Sequence, residues 1–375
     1  MIRILGTAEE IAGRIKEKNQ FLIIYGAGMI GRTIMPSYIQ EMHLVDYVDC
    51  YIDIDKRKQG KSILIGGKSF LVYAPEKLEN VGRNAAVIIT NSNFMPIVDK
   101  MNHIPALQET EVYIWPVVLE QQAAAKTEKI SFQSSGREVK IPQKIHYCWF
   151  SGNPMPDYLK RCIETWHFYC PDYEIIRWDE SNYDIGKNKY MKQAYEQKKW
   201  GFVPDIARLD LLYQYGGIYL DTDVELLKSL DELLYLPGFA GVEKWGNINL
   251  GGCSGCMAGN PVIKAMLDFR ANETFIDADG EINMTTCGYY ETQPLIEMGF
   301  IPNNTVQTIQ QFTIFSSDFF CPYDYMSGKI SVNKNTFSIH HFNGGWLDEK
   351  SMTERKKTQR KYQTIIEGME QIAKR

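Results

Sequence analysis

Nowhere does the chain hold the ~18–20 consecutive apolar residues that a membrane-spanning helix requires. Its opening stretch, MIRILGTAEEIAGRIKEKNQ, carries charges where a secretory leader needs an apolar core, so it reads as mature, cytoplasmic protein. Positive charge is not in excess: 41 Lys and Arg stand against 46 Asp and Glu, a net charge of −5, which argues against general nucleic-acid binding. A disulfide framework is missing too. The 8 cysteines (Cys50, Cys148, Cys162, Cys170, Cys253, Cys256, Cys287 and Cys321) are scattered through a long chain of intracellular character. Cys253-Ser-Gly-Cys256 has CxxC spacing but no second pair and no His at finger spacing, so it reads as structural. No internal repeat is evident. What remains is an ordinary globular composition over 375 residues, 44% hydrophobic and 23% charged, which excludes wholesale disorder and fits two domains.

The order of apolar runs gives the fold class, α/β. Phe21–Tyr25 is a short buried strand that runs into Gly26-Ala-Gly28-Met-Ile-Gly31, a glycine turn opening a helix. Further strands fall at VDYVDCYIDID, AAVIIT and EVYIW, alternating with helical stretches, which predicts a Rossmann-like parallel sheet over residues 1–125. Residues 126–140 are polar and aperiodic and read as a linker. A second domain over 141–346 opens on the strand IPQKIHYCWF. A helix follows over Tyr158–Tyr169, then a strand at DYEIIRW, then a helix over Phe202–Tyr215 with Pro204 in its first turn and Gly216-Gly217 as its stop. IYLDTDVELL is expected as one strand with two carboxylates at its end. The tail, 347–375, is a basic helix with Tyr362, Ile365, Ile366, Met369 and Ile372 at helical spacing. Docking on the protein is the favoured reading for it, and a membrane-surface role the alternative.

The chemistry concentrates in the second domain. Asp221 and Asp223, two apart on a strand, face one side and can converge on a hard divalent cation, Mn²⁺ or Mg²⁺, that also binds diphosphate oxygens. Asp205 and Arg208 are neighbours on a helix, a pair suited to bidentate bonds with sugar hydroxyls; a surface ion pair is the plain alternative. Far downstream, His340-His341-Phe-Asn343-Gly-Gly-Trp346 groups further ligand types with a flat aromatic.

Read together, IPQKIHYCWF, FVPDIARLDLLYQYGGIYLDTDVEL and HHFNGGW resemble glycosyltransferase family 32, and more distantly the glucosyltransferase domains of large clostridial toxins. The resemblance runs from Ile141 to about Trp346. It implies a GT-A fold and metal-dependent, retaining transfer of a sugar from a nucleotide-sugar donor, UDP-linked first and GDP-linked second. The implied acceptor is a capsular or other surface polysaccharide, or a lipid-linked glycan. It implies that Trp149 stacks on the donor base, that Asp205, Arg208 and Tyr219 serve the donor, and that Asp221 and Asp223 hold the metal. His341 and Asn343 would complete the metal and diphosphate site, and Trp346 would cover the diphosphate. Many relatives have Ser where this chain has Gly345.

In the first domain Gly26, Gly28 and Gly31 satisfy GxGxxG, and Asp53 follows at the spacing of a ribose-binding acid. NAD(P) binding is therefore open to it. No Tyr-x-x-x-Lys dyad follows, and a structural or assembly module is the favoured reading. Two other functions stand beside sugar transfer: a NAD-linked sugar-nucleotide oxidoreductase, and a non-catalytic nucleotide-sugar-binding scaffold. The sugar, the acceptor, the linkage and the oligomeric state are not legible in the chain.

Overall fold

The computed structural model describes residues 2–4, 6–82, 84–125, 138–344 and 349–373. The chain forms two compact units. One comprises Met1–Lys126, Asp324–Gly328 and Glu349–Arg375; the other comprises Thr127–Tyr323 and Lys329–Asp348. The first thus includes the C-terminal helix Glu349–Ala373. Of the expected linker, 126–137 lie outside the described residues.

Seven strands make the sheet of the first unit: β1 (Ile2–Ile4), β2 (Phe21–Tyr25), β3 (Val48–Ile52), β4 (Ser62–Ile65), β5 (Lys68–Tyr73), β6 (Ala85–Ile89) and β7 (Glu111–Ile114). Their order is β1-β7-β6-β2-β3-β5-β4, parallel throughout except for the β4–β5 hairpin. Strands covered on both faces read as continuous apolar runs, and AAVII of β6 is buried at every position. The glycine turn after β2 forms as the motif requires. Gly26 takes φ +119°, and a Cβ on Gly31 would lie 1.8 Å from the Gly26 carbonyl oxygen. Beyond the turn the chain makes one π turn, Ile30–Ile34, before the helix Met35–Glu41.

The second unit is also α/β, with a sheet that is parallel at one end and mixed beyond. Its strands are β8 (Lys144–Cys148), β9 (Glu174–Trp178), β10 (Gly217–Tyr219), β11 (Val224–Leu226), β12 (Gly238–Val242), β13 (Ile248–Cys256), β14 (Gln307–Ile309), β15 (Phe312–Phe315) and β16 (Ser338–His340). The main sheet runs β14-β15-β12-β13-β10-β8-β9, and β11 pairs antiparallel with β16 in a separate ribbon. β8, β9 and β10 are parallel; β13 runs against β10 and β12. Side chains alternate across the sheet and feed two cores. One gathers Leu209, Leu212, Ile248, Leu250 and Cys256; the other gathers Ile145, Trp166, Leu220, Phe239 and Cys253. Cys253 and Cys256 therefore lie on opposite faces, and all eight cysteines are free thiols.

IYLDTDVELL is not one strand. β10 stops at Tyr219, the Asp221 N–H bonds Gly251 O at 2.8 Å, and the Val224 N–H closes on Asp221 O at 3.1 Å. The motif is a tight turn at which the chain leaves the main sheet for the ribbon.

Candidate active site

Four segments meet at that turn. The helix Pro204–Tyr215 brings Asp205 and Arg208. The turn itself brings Asp221 and Asp223. The middle of β13 brings Gly251, and the end of β16 brings His340. Asp221, Asp223 and His340 each offer a ligand atom, all within 4.8 Å of one another. His340 Nε2 lies 3.3 Å from Asp223 Oδ1 and 4.0 Å from Asp221 Oδ2. Two carboxylates and one imidazole are a fitting set for a divalent cation that also accepts phosphate oxygens.

Each ligand is held from behind. Asp223 Oδ2 accepts the Asn343 N–H at 2.9 Å. Burial works against the Asp223 carboxylate, but His340 and that N–H outweigh it and hold its pKa at about 2. Asp221 Oδ1 accepts the Tyr219 hydroxyl at 3.0 Å. The His340 ring stacks on Phe342, centroids 4.0 Å apart, and its buried Nδ1 has no hydrogen-bond partner among the described residues. Burial disfavours the imidazolium, yet Asp223, Asp221 and Glu243 together raise the His340 pKa. Such surplus negative charge favours a cation at the same place.

Beneath Asp221 is a buried charge network. Arg208 Nη2 meets Asp205 Oδ1 at 2.8 Å and lies 3.7 Å from Asp221 Oδ1, while Nη1 is 3.4 Å from Glu291 Oε1. Burial disfavours the Arg208 cation, but the surrounding carboxylates hold its pKa well above the usual arginine range. Burial raises Asp205, against Arg208 and Arg270, and pushes Glu291 up to about 7. Glu291 also accepts the Leu250 N–H at 3.0 Å, tying the network to β13 beside the Gly251 carbonyl that holds Asp221. Arg270 is buried between the rings of Tyr190 and Tyr290, 4.0 Å from Asp205 Oδ2. The Asp205–Arg208 side chains are only 6% and 4% exposed, so the pair forms the floor of the site and not its rim.

Other residues expected from the sequence fall differently. His341 points its Nε2 at Glu225 Oε2, 2.9 Å away, and not at the aspartates. The register explains this. Val224 opposes His340 across the ribbon and Glu225 opposes Ile339, so His341, two beyond Ile339, shares the face of Glu225. Asn343 reaches the site through its backbone N–H. Trp149 is half-buried just beyond β8, its indole N–H donating to Asn153 O at 2.8 Å. Trp346 lies outside the described residues. In the first unit the Asp53 carboxylate accepts the Ala27 N–H at 2.7 Å and pairs with Lys58 at 3.1 Å, so it braces the turn of Gly26, Gly28 and Gly31.

Sequence reasoning missed Glu291, Arg270 and the choice of His340 over His341. A lone buried acid or arginine within a helix carries no spacing signal. Two consecutive histidines at a strand end leave the facing one undecided until the register is known.

Residues 156–238 match a family described as "glycosyltransferase sugar-binding region containing DXD motif". Among curated proteins the chain is similar to inositol phosphoceramide mannosyltransferase 3 of Schizosaccharomyces pombe, 35% identical over 117 residues, 28% of this chain and 30% of that protein. It is also similar to subversion of eukaryotic traffic protein A of Legionella pneumophila, 27% identical over 175 residues, 38% of this chain and 27% of that protein. The chain therefore spans under a third of the length of either relative. Among solved structures, PaToxG glycosyltransferase aligns with a TM-score of 0.35 at 20% identity, covering 49% of this chain and 75% of its own.

Proposed function

We propose that this chain, a family 32-like glycosyltransferase by its DXD-containing sugar-binding region, moves a hexose from a nucleotide-sugar donor to a hydroxyl of a glycan or lipid-linked acceptor. The observation that carries the reading is the convergence of Asp221 and Asp223 of that region with His340. These three would hold Mn²⁺ or Mg²⁺, which supplies positive charge against the diphosphate leaving group. The remaining work falls to the chain. Tyr219 and the Asn343 N–H fix the two carboxylates. Asp205 and Arg208, on the floor, set the position of Asp221 and offer the donor sugar a charged pair. Trp149 supplies a ring for the base, and Trp346 is assigned to the diphosphate. Retention follows from a front-face reaction: the departing phosphate takes the acceptor hydroxyl's proton, and no side chain forms a bond to the sugar. Rate enhancement then rests on positioning and fixed charge.

The name of the S. pombe relative makes mannose the first sugar to try, beside UDP-linked hexoses. The test is nucleotide release from a panel of UDP- and GDP-sugars, with and without Mn²⁺, in the absence of acceptor. We expect slow, cation-dependent release from one donor and its loss in Asp223→Ala. Full release by Asp223→Ala would overturn the assignment.

A further inference from the structure

The C-terminal helix Glu349–Ala373 has two faces with different tasks. One is engaged within the first unit. The Tyr362 hydroxyl bonds Glu120 Oε2 at 3.1 Å, Gln359 Nε2 donates to Tyr325 O at 3.1 Å, and the Arg355 guanidinium lies 4.3 Å from the centre of the Tyr325 ring. Positions 355, 359 and 362 recur at helical spacing, as one docking stripe must. Opposite it, Lys350, Lys356, Lys357, Arg360 and Lys361 are exposed. At about 100° per residue these five fall within an arc of about 140°. Between Lys350 and Lys361 the sequence holds six basic residues and one acid, Glu354, a net charge of +5 in a chain whose total is −5. Glu354, paired with Lys357 at 2.7 Å, borders the stripe, and Glu349 lies within its arc at the N-terminal end of the helix, before the first lysine. Nothing within the sugar-transfer reading uses this face.

We propose that the basic face of this helix binds the surface of an anionic lipid bilayer. The docking stripe already occupies the side of the helix that an inserting amphipathic helix would bury, so the contact is electrostatic and peripheral. Among the described residues no helix is long and apolar enough to cross a membrane. A basic residue close to an anionic membrane surface is worth about fivefold in affinity, and the effect fades within a Debye length as salt rises. An extended anionic surface suits a stripe about three helical turns long better than a single small anion, which would engage one or two of its charges.

The experiment is co-sedimentation of the full chain with vesicles of phosphatidylcholine alone, and of phosphatidylcholine with phosphatidylglycerol, at low and high salt. One variant combines Lys356→Glu, Lys357→Glu, Arg360→Glu and Lys361→Glu. A control reverses four other exposed lysines, Lys56, Lys61, Lys189 and Lys192. We expect salt-sensitive binding to the anionic vesicles only, retained by the control and reduced more than about 10³-fold in the helix variant, which loses four positive charges and gains four negative ones. A Lys/Arg→Gln version of the same four positions, expected to fall part of that way, guards against a folding defect from charge reversal. Equal binding by wild type and helix variant, equal binding to neutral vesicles, or no vesicle binding alongside capture of RNA would each overturn the proposal. The readout uses no donor or acceptor, so it stands apart from the sugar-transfer reading.

Discussion

A Cβ added at Gly251 would lie 2.0 Å from Asp221 Oδ2 and 3.0 Å from Arg208 Nη1. The same residue's carbonyl holds the Asp221 N–H, so backbone and missing side chain together set the first carboxylate of the motif. In Gly251→Ala the carboxylate must leave its bond with Tyr219 or the strand must move. Overpacking of this kind costs about 1–3 kcal/mol, to be read from urea unfolding, and we expect Mn²⁺ affinity to fall at least about tenfold with it. Unchanged cation affinity in that variant would mean that Asp221 is not a ligand. Nothing in the sequence marks Gly251 among 29 glycines, because its importance comes from a strand-to-turn contact across about thirty residues of chain.

At the scale of elements, the sequence was most informative where pattern and punctuation agree. The helix Pro204–Tyr215 starts at its proline and stops at Gly216, where φ is +63° and a Cβ would lie 2.7 Å from the Ala258 nitrogen. Their i, i+3 spacing on that helix brings Asp205 and Arg208 together, and their side chains meet at 2.8 Å. Strands β2, β3, β6 and β7 of the first unit and β8 and β9 of the second were legible for the same reason: buried parallel strands are short apolar runs between helices, whereas β12 to β16 of the second unit carried no such pattern. The DXD segment was not legible either. Its apolar and polar residues continue the strand pattern, and only the pairing of β11 with β16 shows that the chain turns out of the main sheet after Tyr219. That same pairing decides between His340 and His341.

For the whole molecule, the docking of the C-terminal helix turns on one buried acid. Glu120 Oε1 accepts the Met326 N–H at 3.2 Å and Oε2 the Tyr362 hydroxyl at 3.1 Å. Burial and then Asp324 push its pKa up to about 9, against those two hydrogen bonds. In the unfolded chain the carboxyl ionises near 4.5, so between about 4.5 and about 9 the folded state holds the extra proton. Stability therefore falls as pH rises through that window, by up to about 1.4 kcal/mol per pH unit, and levels off above it. Glu120→Gln keeps a hydrogen-bonding side chain and removes the proton. Thermal unfolding between about pH 6 and about pH 8.5 should show the wild type losing stability relative to Glu120→Gln as pH rises. Parallel curves would place the Glu120 ionisation elsewhere. The hydrophobic positions Ile365, Ile366, Met369 and Ile372, which suggested an amphipathic helix, have side chains outside the described residues; Arg355, Gln359 and Tyr362 make the docking contacts given above.

The most direct test of the account is calorimetric titration of Mn²⁺ into the full chain, wild type beside Asp223→Ala, His340→Ala and His341→Ala. We expect one site in the wild type, its loss in Asp223→Ala, a weakening of about 10- to 100-fold in His340→Ala, and wild-type affinity in His341→Ala, whose ring serves Glu225. Equal Mn²⁺ affinity in the wild type and Asp223→Ala would contradict the account at its centre.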